Sequence, residues 1–283
     1  IPGLMYSALI PIHLAMLHTV FNVLNTLIFL PFVRPFAALV SFIIKDDKAE
    51  VVSQHYTLLY HSGSLQDTPE LNIIRVEKEI RDMAGLTSSM YARVSEVLGA
   101  MREASGREAA VSVLVEEMKG KEEYADEMRE ALTAFLIECT REHLNRRSEH
   151  RVSQLLRIIA DLEDMTDDCY SISLLLERSV KKNQIFRGKE MDALGPYVAL
   201  VEEFLGILRE HLGKQLTDEE REFAGSLEAT IDKSRNRLRK LGRKRIEAGV
   251  DVKTELLFID LVKRIEKLGD YCFDIIEALS RKT

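Results

Sequence analysis

"LVKRIEKLGDYCFDII" (Leu261–Ile276) repeats a pattern that the chain has already used in "IADLEDMTDDCYSISL" (Ile159–Leu174). Aligned at an offset of 103 residues, the stretches share two carboxylates, a cysteine and an isoleucine. The matched pairs are Glu163 with Glu266, Asp167 with Asp270, Cys169 with Cys272, and Ile172 with Ile275. Upstream of each stretch, a second carboxylate pair recurs at an offset of 106: Glu122 and Asp126 match Glu228 and Asp232. Repetition at this scale predicts a duplicated structural unit.

The helical pattern continues on both sides of these stretches. From residue 68 onward the apolar residues follow a helical period, and no stretch alternates at period two, so the sequence predicts an all-α fold. Thr68 and Pro69 form a helix-start signal, and Thr217 forms a capping box with Glu220. The predicted helices span about 69–101, 109–146, 149–182, 197–212, 217–249 and 254 to the last residue. Three helices followed by three helices make a duplicated three-helix, six-helix bundle over 70–283, with repeats at 70–183 and 189–283.

The charges are distributed unevenly along the 283 residues. Arg34 is the only charged residue before Lys45, although the whole chain contains 39 Lys and Arg and 46 Asp and Glu. The uncharged run at 1–33 is longer than the roughly 20 residues that cross a bilayer as a helix. The sequence therefore predicts a membrane segment at 1–45, with a transmembrane helix from about Ala8 to Phe32, and a linker at 46–69.

Other interpretations of this segment fit less well. A secretory signal peptide has a basic start and a shorter apolar stretch than this one. The stretch "PFAALVSFII" (35–44) is too short to span a bilayer alone, and it fits an interfacial helix or part of a second, tilted helix. Because the chain begins with Ile, we expect it to be part of a longer protein.

The repeated carboxylates are candidate metal ligands. Residues four apart lie on one face of a helix, where two like charges repel each other mildly, so helix propensity does not favour the pairing. A hard cation would favour it, because carboxylates from facing helices bind such ions. The candidate ligands are Glu122, Asp126, Glu163, Asp167, Glu228, Asp232, Glu266 and Asp270. The alternative is chance pairing in a charged helix.

Composition limits the partners and the compartment. The net charge of −7 argues against nucleic acid as a main partner, although the run "KSRNRLRKLGRKR" (233–245) is strongly basic. That run is either a solvated helix face or a contact with anionic lipid or another acidic surface. Three cysteines without short spacing favour a reducing compartment over a disulfide framework, so we expect the helical domain to be cytoplasmic.

The two repeated stretches resemble the last helix of each half of PhoU-like domains. That family is a duplicated three-helix bundle with Glu/Asp-x-x-x-Asp motifs, and some of its members bind metal clusters. The resemblance covers about Leu71 to Arg281 and implies a divalent ion, iron or zinc at the repeated carboxylates. Thr166 stands where the second copy has Gly269, so the first copy departs from the family pattern.

The apolar segment resembles the last membrane segment of bacterial sodium/phosphate cotransporters, which often carry a PhoU-like domain after the transport core. The resemblance rests on "LAMLHTVFNVLNTLIFLPF" (14–32) and on the junction "LQDTPELNIIRVEKEIRDMA" (65–84). It implies a multi-pass inner-membrane symporter for sodium and inorganic phosphate, regulated by the helical domain. Lipid, sodium, phosphate and a homodimer are the implied partners. The family's Gln-Ser-Ser motifs do not occur in this sequence.

Polar residues also line one face of the predicted membrane helix: His18, Asn22, Asn25 and Thr26. They either form hydrogen bonds with neighbouring helices or contact an ion or substrate.

Two rival functions remain at this stage. One is a carboxylate-bridged metalloenzyme, which the lack of a Glu-x-x-His motif disfavours. The other is a membrane-anchored signalling protein with a coiled-coil stalk, which the lack of heptads in the linker disfavours. No nucleophile–base set or glycine-rich phosphate loop is present, so we expect no enzymatic activity.

Overall fold

The computed structural model describes residues 2–29, 55–58, 69–101, 106–141, 144–186, 189–214 and 216–280. It divides the chain into two compact units, Ile1–Glu50 and Val51–Thr283. In the described ranges the secondary structure is helical apart from turns, short loops between helices and the stretch 55–58. The predicted all-α class is therefore confirmed.

The first unit contains helix α1 (Pro2–Phe29). All of the side chains described in it, from residue 15 to residue 29, are exposed. Nine of them are large and apolar: Met16, Leu17, Val20, Phe21, Val23, Leu24, Leu27, Ile28 and Phe29. Within the described part of the chain, no helix has both the length and the apolar character that crossing a membrane requires. The membrane segment predicted at 1–45 thus gains no support from the structure, and residues 30–45 lie outside the described ranges.

The second unit is a bundle of six helices. They are α2 (Pro69–Ala100), α3 (Arg107–Cys139), α4 (Arg146–Lys181), α5 (Lys189–His211), α6 (Asp218–Glu247) and α7 (Val252–Ser280). The predicted capping box opens α6, where the Thr217 side chain accepts from the backbone N–H of Glu220 and the Glu220 side chain accepts from that of Thr217. This pair satisfies two backbone donors that have no partner within the helix.

Two helix boundaries differ from the sequence prediction. Helix α3 ends at Cys139 rather than near 146, because the Asn145 side chain accepts from the backbone N–H of Ser148 and starts a new helix there. Helix α5 begins at Lys189 rather than at 197, so that Pro196 lies inside it. An internal proline costs a helix about 3 kcal/mol. Burial of four neighbours offsets this cost: Met191, Leu194, Tyr197 and Val198.

The packing of the helices repeats from one half to the other. In the first half α2, α3 and α4 all pack against one another, and in the second half α5, α6 and α7 do the same. The halves meet through α2 against α5 and α4 against α7. Each of these contacts joins a helix to its own counterpart, as in an interface with two-fold symmetry. The repeated stretches of sequence thus form the facing helices α4 and α7.

The bundle has its own hydrophobic core. The core is one cluster of buried residues between Ile73 and Leu279, with contributions from all six helices. Tyr91 and Tyr197, which match at the offset of 106, are both buried, and each hydroxyl donates to a main-chain carbonyl of another helix at 3.1 Å. Among the residues that the structure describes, this core draws on the second unit, and a hydrophobic core of its own is what an independently folding domain has.

Part of the linker predicted at 46–69 attaches to the bundle. The Tyr56 backbone N–H donates to Glu127 at 2.6 Å, and its hydroxyl donates to Glu79 at 2.9 Å. His55 lies 2.6 Å from the other oxygen of Glu127, and the Tyr56 ring packs edge-on against Tyr124. These contacts fix the stretch 55–58 against α2 and α3. Pro69 begins α2, and the other residues of the predicted linker lie outside the described residues.

The three cysteines, Cys139, Cys169 and Cys272, are buried and form no disulfide. Burial raises the pKa of the Cys169 and Cys272 thiols well above the usual range. A buried thiol with a raised pKa is a poor nucleophile, so these side chains belong to the packing of α4 and α7.

Candidate metal centre

The eight predicted ligands form two groups, one in each half of the bundle. The first acidic cluster lies on α3 and α4 and consists of Glu122, Asp126, Glu163 and Asp167. The second acidic cluster lies on α6 and α7 and consists of Glu228, Asp232, Glu266 and Asp270. The charged groups that most shift the pKa values of each cluster come from its own half. The carboxylates therefore fall into two groups, one in each half.

The carboxyl groups of the first acidic cluster lie close enough to perturb one another's pKa values. Burial and the nearby Asp167 charge raise the pKa of Glu122 to about 7, and Glu122 shares a hydrogen bond with Asp167. Burial and a hydrogen bond with Asp126 likewise raise the pKa of Glu163 to about 7. Each hydrogen bond between two carboxyl groups needs one proton. The first cluster is thus stabilised by protons near neutral pH in the absence of another cation.

The second acidic cluster offers a more open arrangement. Glu228, Asp232 and Asp270 each place a carboxylate oxygen within 4.8 Å of the others, the only group of this kind among the described residues. Burial and the Asp232 charge raise the pKa of Asp270 to about 6, and the same two causes raise that of Glu228. Three carboxylates at this spacing repel one another, and together they offer the oxygen ligands that a hard divalent cation prefers.

Glu266 stands apart from the other three carboxylates of its cluster. It is buried, and it forms an ion pair with Arg235. The same guanidinium contacts Asp232 at 3.1 Å. The structure thus brings together three of the four ligands predicted in this half and assigns the fourth to an arginine.

Each cluster also contains an arginine that was not among the residues predicted from the sequence. Arg129 lies 3.0 Å from Asp126 and 3.3 Å from Glu163, so it occupies in the first cluster the place that Arg235 occupies in the second. The two arginines differ in number by 106, the same offset as the carboxylates of their helices. The signal was an arginine three residues after the second carboxylate of each pair. Each arginine lowers the net negative charge of its cluster and leaves fewer carboxylate oxygens for a metal.

A glycine lets α6 approach α7 at the second cluster. A Cβ added at Gly269 would lie 3.2 Å from two carbons of Ile231. The two helices can approach this closely because glycine has no side chain. In the first half the arrangement is reversed. There the equivalent of Gly269 is Thr166, whose hydroxyl donates to the Glu163 carbonyl at 2.7 Å, and the equivalent of Ile231 is the small residue Ala125. All four positions are buried, and each half has one small residue at this pair of equivalent positions.

The polar residues of α1 make contacts within their own helix. The Asn22 side-chain amide lies 3.1 Å from His18 Nδ1, and the Thr26 hydroxyl donates to the Asn22 carbonyl at 2.9 Å. Asn25 is exposed, like its neighbours. The structure assigns no ion or substrate to this stripe.

The bundle is similar to a solved structure, a crystal structure of PhoU from Pseudomonas aeruginosa. The likeness covers 74% of this chain and 96% of that chain, with a TM-score of 0.65 and 13% sequence identity. The bundle has the PhoU fold. The resemblance noted in the sequence is therefore confirmed at the level of fold. No protein-family model matches the chain, and no curated protein sequence matches it.

Proposed function

We propose that this chain is part of a sodium-coupled phosphate transporter, in which the PhoU-fold bundle regulates transport. The observation that carries the proposal is a bundle with the PhoU fold that follows a helix of exposed apolar side chains. Large apolar side chains exposed along a helix need an apolar environment, which other membrane helices and lipid would provide. The polar stripe of His18, Asn22, Asn25 and Thr26 would then face protein or water rather than lipid.

Uptake of labelled phosphate by membrane vesicles containing the full-length protein tests this proposal. We expect uptake that requires a sodium gradient and does not proceed with potassium in its place. Removal of residues 51–283 should leave sodium-dependent uptake in place but change its response to the phosphate supply. Uptake that ignores sodium would contradict the transport assignment, and an unchanged response after the removal would contradict the regulatory one.

We also propose that the second acidic cluster binds one divalent cation. Its three converging carboxylates and the close approach of α6 to α7 at Gly269 support this, since oxygen ligands from two helices can share one ion. A bound cation would supply the positive charge that offsets the repulsion among these carboxylates. The three carboxylates would hold the ion, and its binding would change how α6 packs on α7.

Metal analysis of purified residues 51–283 distinguishes the two clusters. After incubation with manganese, zinc or ferrous iron and removal of the excess, we expect one equivalent of metal. The variant Glu228→Gln/Asp232→Asn should lose it. The matched variant Glu122→Gln/Asp126→Asn removes the same two charges from the first cluster and should retain it. Equal loss in both variants, or no metal in the unaltered bundle, would refute the assignment.

A further inference from the structure

The basic run of α6 contains residues of two different kinds. Eight Lys and Arg lie within 233–245, with no acidic residue among them. Arg235 turns into the bundle and pairs with Asp232 and Glu266. Arg245 also turns inward, where it pairs with Glu190 and lies 2.8 Å from the fully buried Glu255. These two arginines are accounted for by the structure of the bundle.

The other six basic side chains point to solvent. We define them as the basic ridge: Lys233, Arg237, Arg239, Lys240, Arg243 and Lys244. In the described part of the chain none of the six lies within 4.0 Å of a carboxylate oxygen. Other exposed cations of the bundle do pair with neighbours one helical turn away, as Arg141 does with Glu138 and Lys181 with Glu177. The ridge is thus a concentration of unneutralised positive charge on a chain whose net charge is −7.

The first half shows that the fold does not need this charge. At the offset of 106, the positions of α3 that match the ridge carry no Lys or Arg: Glu127, Ala131, Thr133, Ala134, Ile137 and Glu138. By contrast Arg235, which serves the acidic cluster, is matched by Arg129. The charged positions that the bundle requires are repeated, and those of the ridge are not.

An exposed apolar group adjoins the end of the ridge. Helix α6 ends at Glu247, and the turn into α7 places Val250, Val252 and Leu256 in solvent, where they are 37%, 50% and 52% exposed. Val252 and Leu256 lie one turn apart, on the same face of α7. We call these three residues the apolar tip.

We propose that the basic ridge and the apolar tip form a surface that binds an anionic membrane. Lysine and arginine are drawn to acidic headgroups, and a few apolar side chains beside them can enter the boundary between headgroups and acyl chains. An acidic protein segment would satisfy the charges of the ridge but not the apolar tip, whereas the surface of an anionic membrane satisfies both. This inference depends on neither phosphate transport nor metal binding.

Co-sedimentation of residues 51–283 with lipid vesicles tests the proposal, because this part carries its own core and lacks α1. We expect binding to vesicles that contain phosphatidylglycerol, little binding to pure phosphatidylcholine, and loss of binding in high salt. Each basic residue near an anionic surface strengthens binding by about fivefold, so Arg237→Gln/Lys240→Gln/Lys244→Gln should weaken it roughly a hundredfold. Leu256→Ser should weaken it severalfold.

A matched variant controls for overall charge. Lys78, Arg146 and Arg147 are exposed on the first half, and replacing all three with Gln changes the net charge by the same amount. This variant should bind like the unaltered bundle, and the melting temperatures of all variants should show that each is folded. The proposal is wrong if the unaltered bundle ignores anionic vesicles, if neutral vesicles bind it equally well, or if both triple variants lose the same affinity. Preferential binding to an acidic polypeptide or to RNA in competition with the vesicles would also overturn it.

Discussion

Replacement of Asp270 by Asn separates a metal site from a solvated acidic face, because the amide keeps the shape and removes one charge. The pKa of this carboxyl is 3.8 when unperturbed and about 6 in the folded bundle, mainly through burial and the Asp232 charge. Two pKa units correspond to about 3 kcal/mol, and solvent screening of this exposed side chain reduces the cost to about 1 kcal/mol. Without metal, Asp270→Asn should therefore stabilise the bundle by about 1 kcal/mol and raise its melting temperature by about 3 °C.

The pH dependence of this gain has a definite sign. Below the unperturbed pKa of 3.8 the carboxyl is protonated in both states, so the aspartate costs nothing. Above about pH 6 it is ionised in both states, and the full cost is present. The advantage of Asp270→Asn should thus appear as the pH rises from 3.8 to about 6, and it should stay constant above that range.

A bound divalent ion should reverse the order of the two proteins. At an ion concentration about a hundred times the dissociation constant, the unaltered bundle gains about 2.7 kcal/mol, and the variant, with one ligand weakened, gains much less. Thermal melts of residues 51–283 with chelator and with added manganese or zinc measure both values. Asp260→Asn, an exposed change on the same helix outside the cluster, controls for the loss of charge. A variant that is stabilised equally with and without ion would refute the metal site.

Three further predictions follow from the packing and the charges. Gly269→Ala should destabilise the bundle by about 1 kcal/mol in denaturant unfolding, because the added Cβ meets Ile231. Adding Ile231→Ala should remove most of that effect. As a control, Gly85→Ala should not destabilise the bundle, because its Cβ meets nothing within 4 Å. Without metal, the stability of the bundle should fall as pH rises from 4.5 to about 7, because the Glu163 carboxyl is ionised at a cost in the folded state. Glu163→Gln should make this fall smaller, and an unchanged pH profile would contradict the raised pKa. Because all three native cysteines are buried, a test of the expected cytoplasmic location needs an added thiol. Ala229→Cys, exposed on α6, should resist an impermeant reagent in intact cells and react after lysis, and labelling in intact cells would contradict the expectation.

Much of the fold could be predicted because its signals are local. The helical period, the capping box at Thr217 and the repeated carboxylate spacing all depend on residues a few positions apart. The boundaries that were wrong depended on distant contacts. The burial of residues around Pro196 extends α5 past a residue that would end an isolated helix, and Asn145 starts α4 inside a run that has helical character throughout.

The sequence by itself determined the duplication, and with it the fact that four carboxylates occupy equivalent positions in each half. It could not determine which of them meet, because distances between helices depend on how side chains from different helices fit. Gly269 against Ile231 brings α6 close to α7, and Arg235 then takes Glu266 out of the group that the other three carboxylates form. The same holds for the basic run of α6. The sequence shows the positive charge of this run. Only the packing of the bundle decides that Arg235 and Arg245 turn inward while the six other cations remain exposed to solvent.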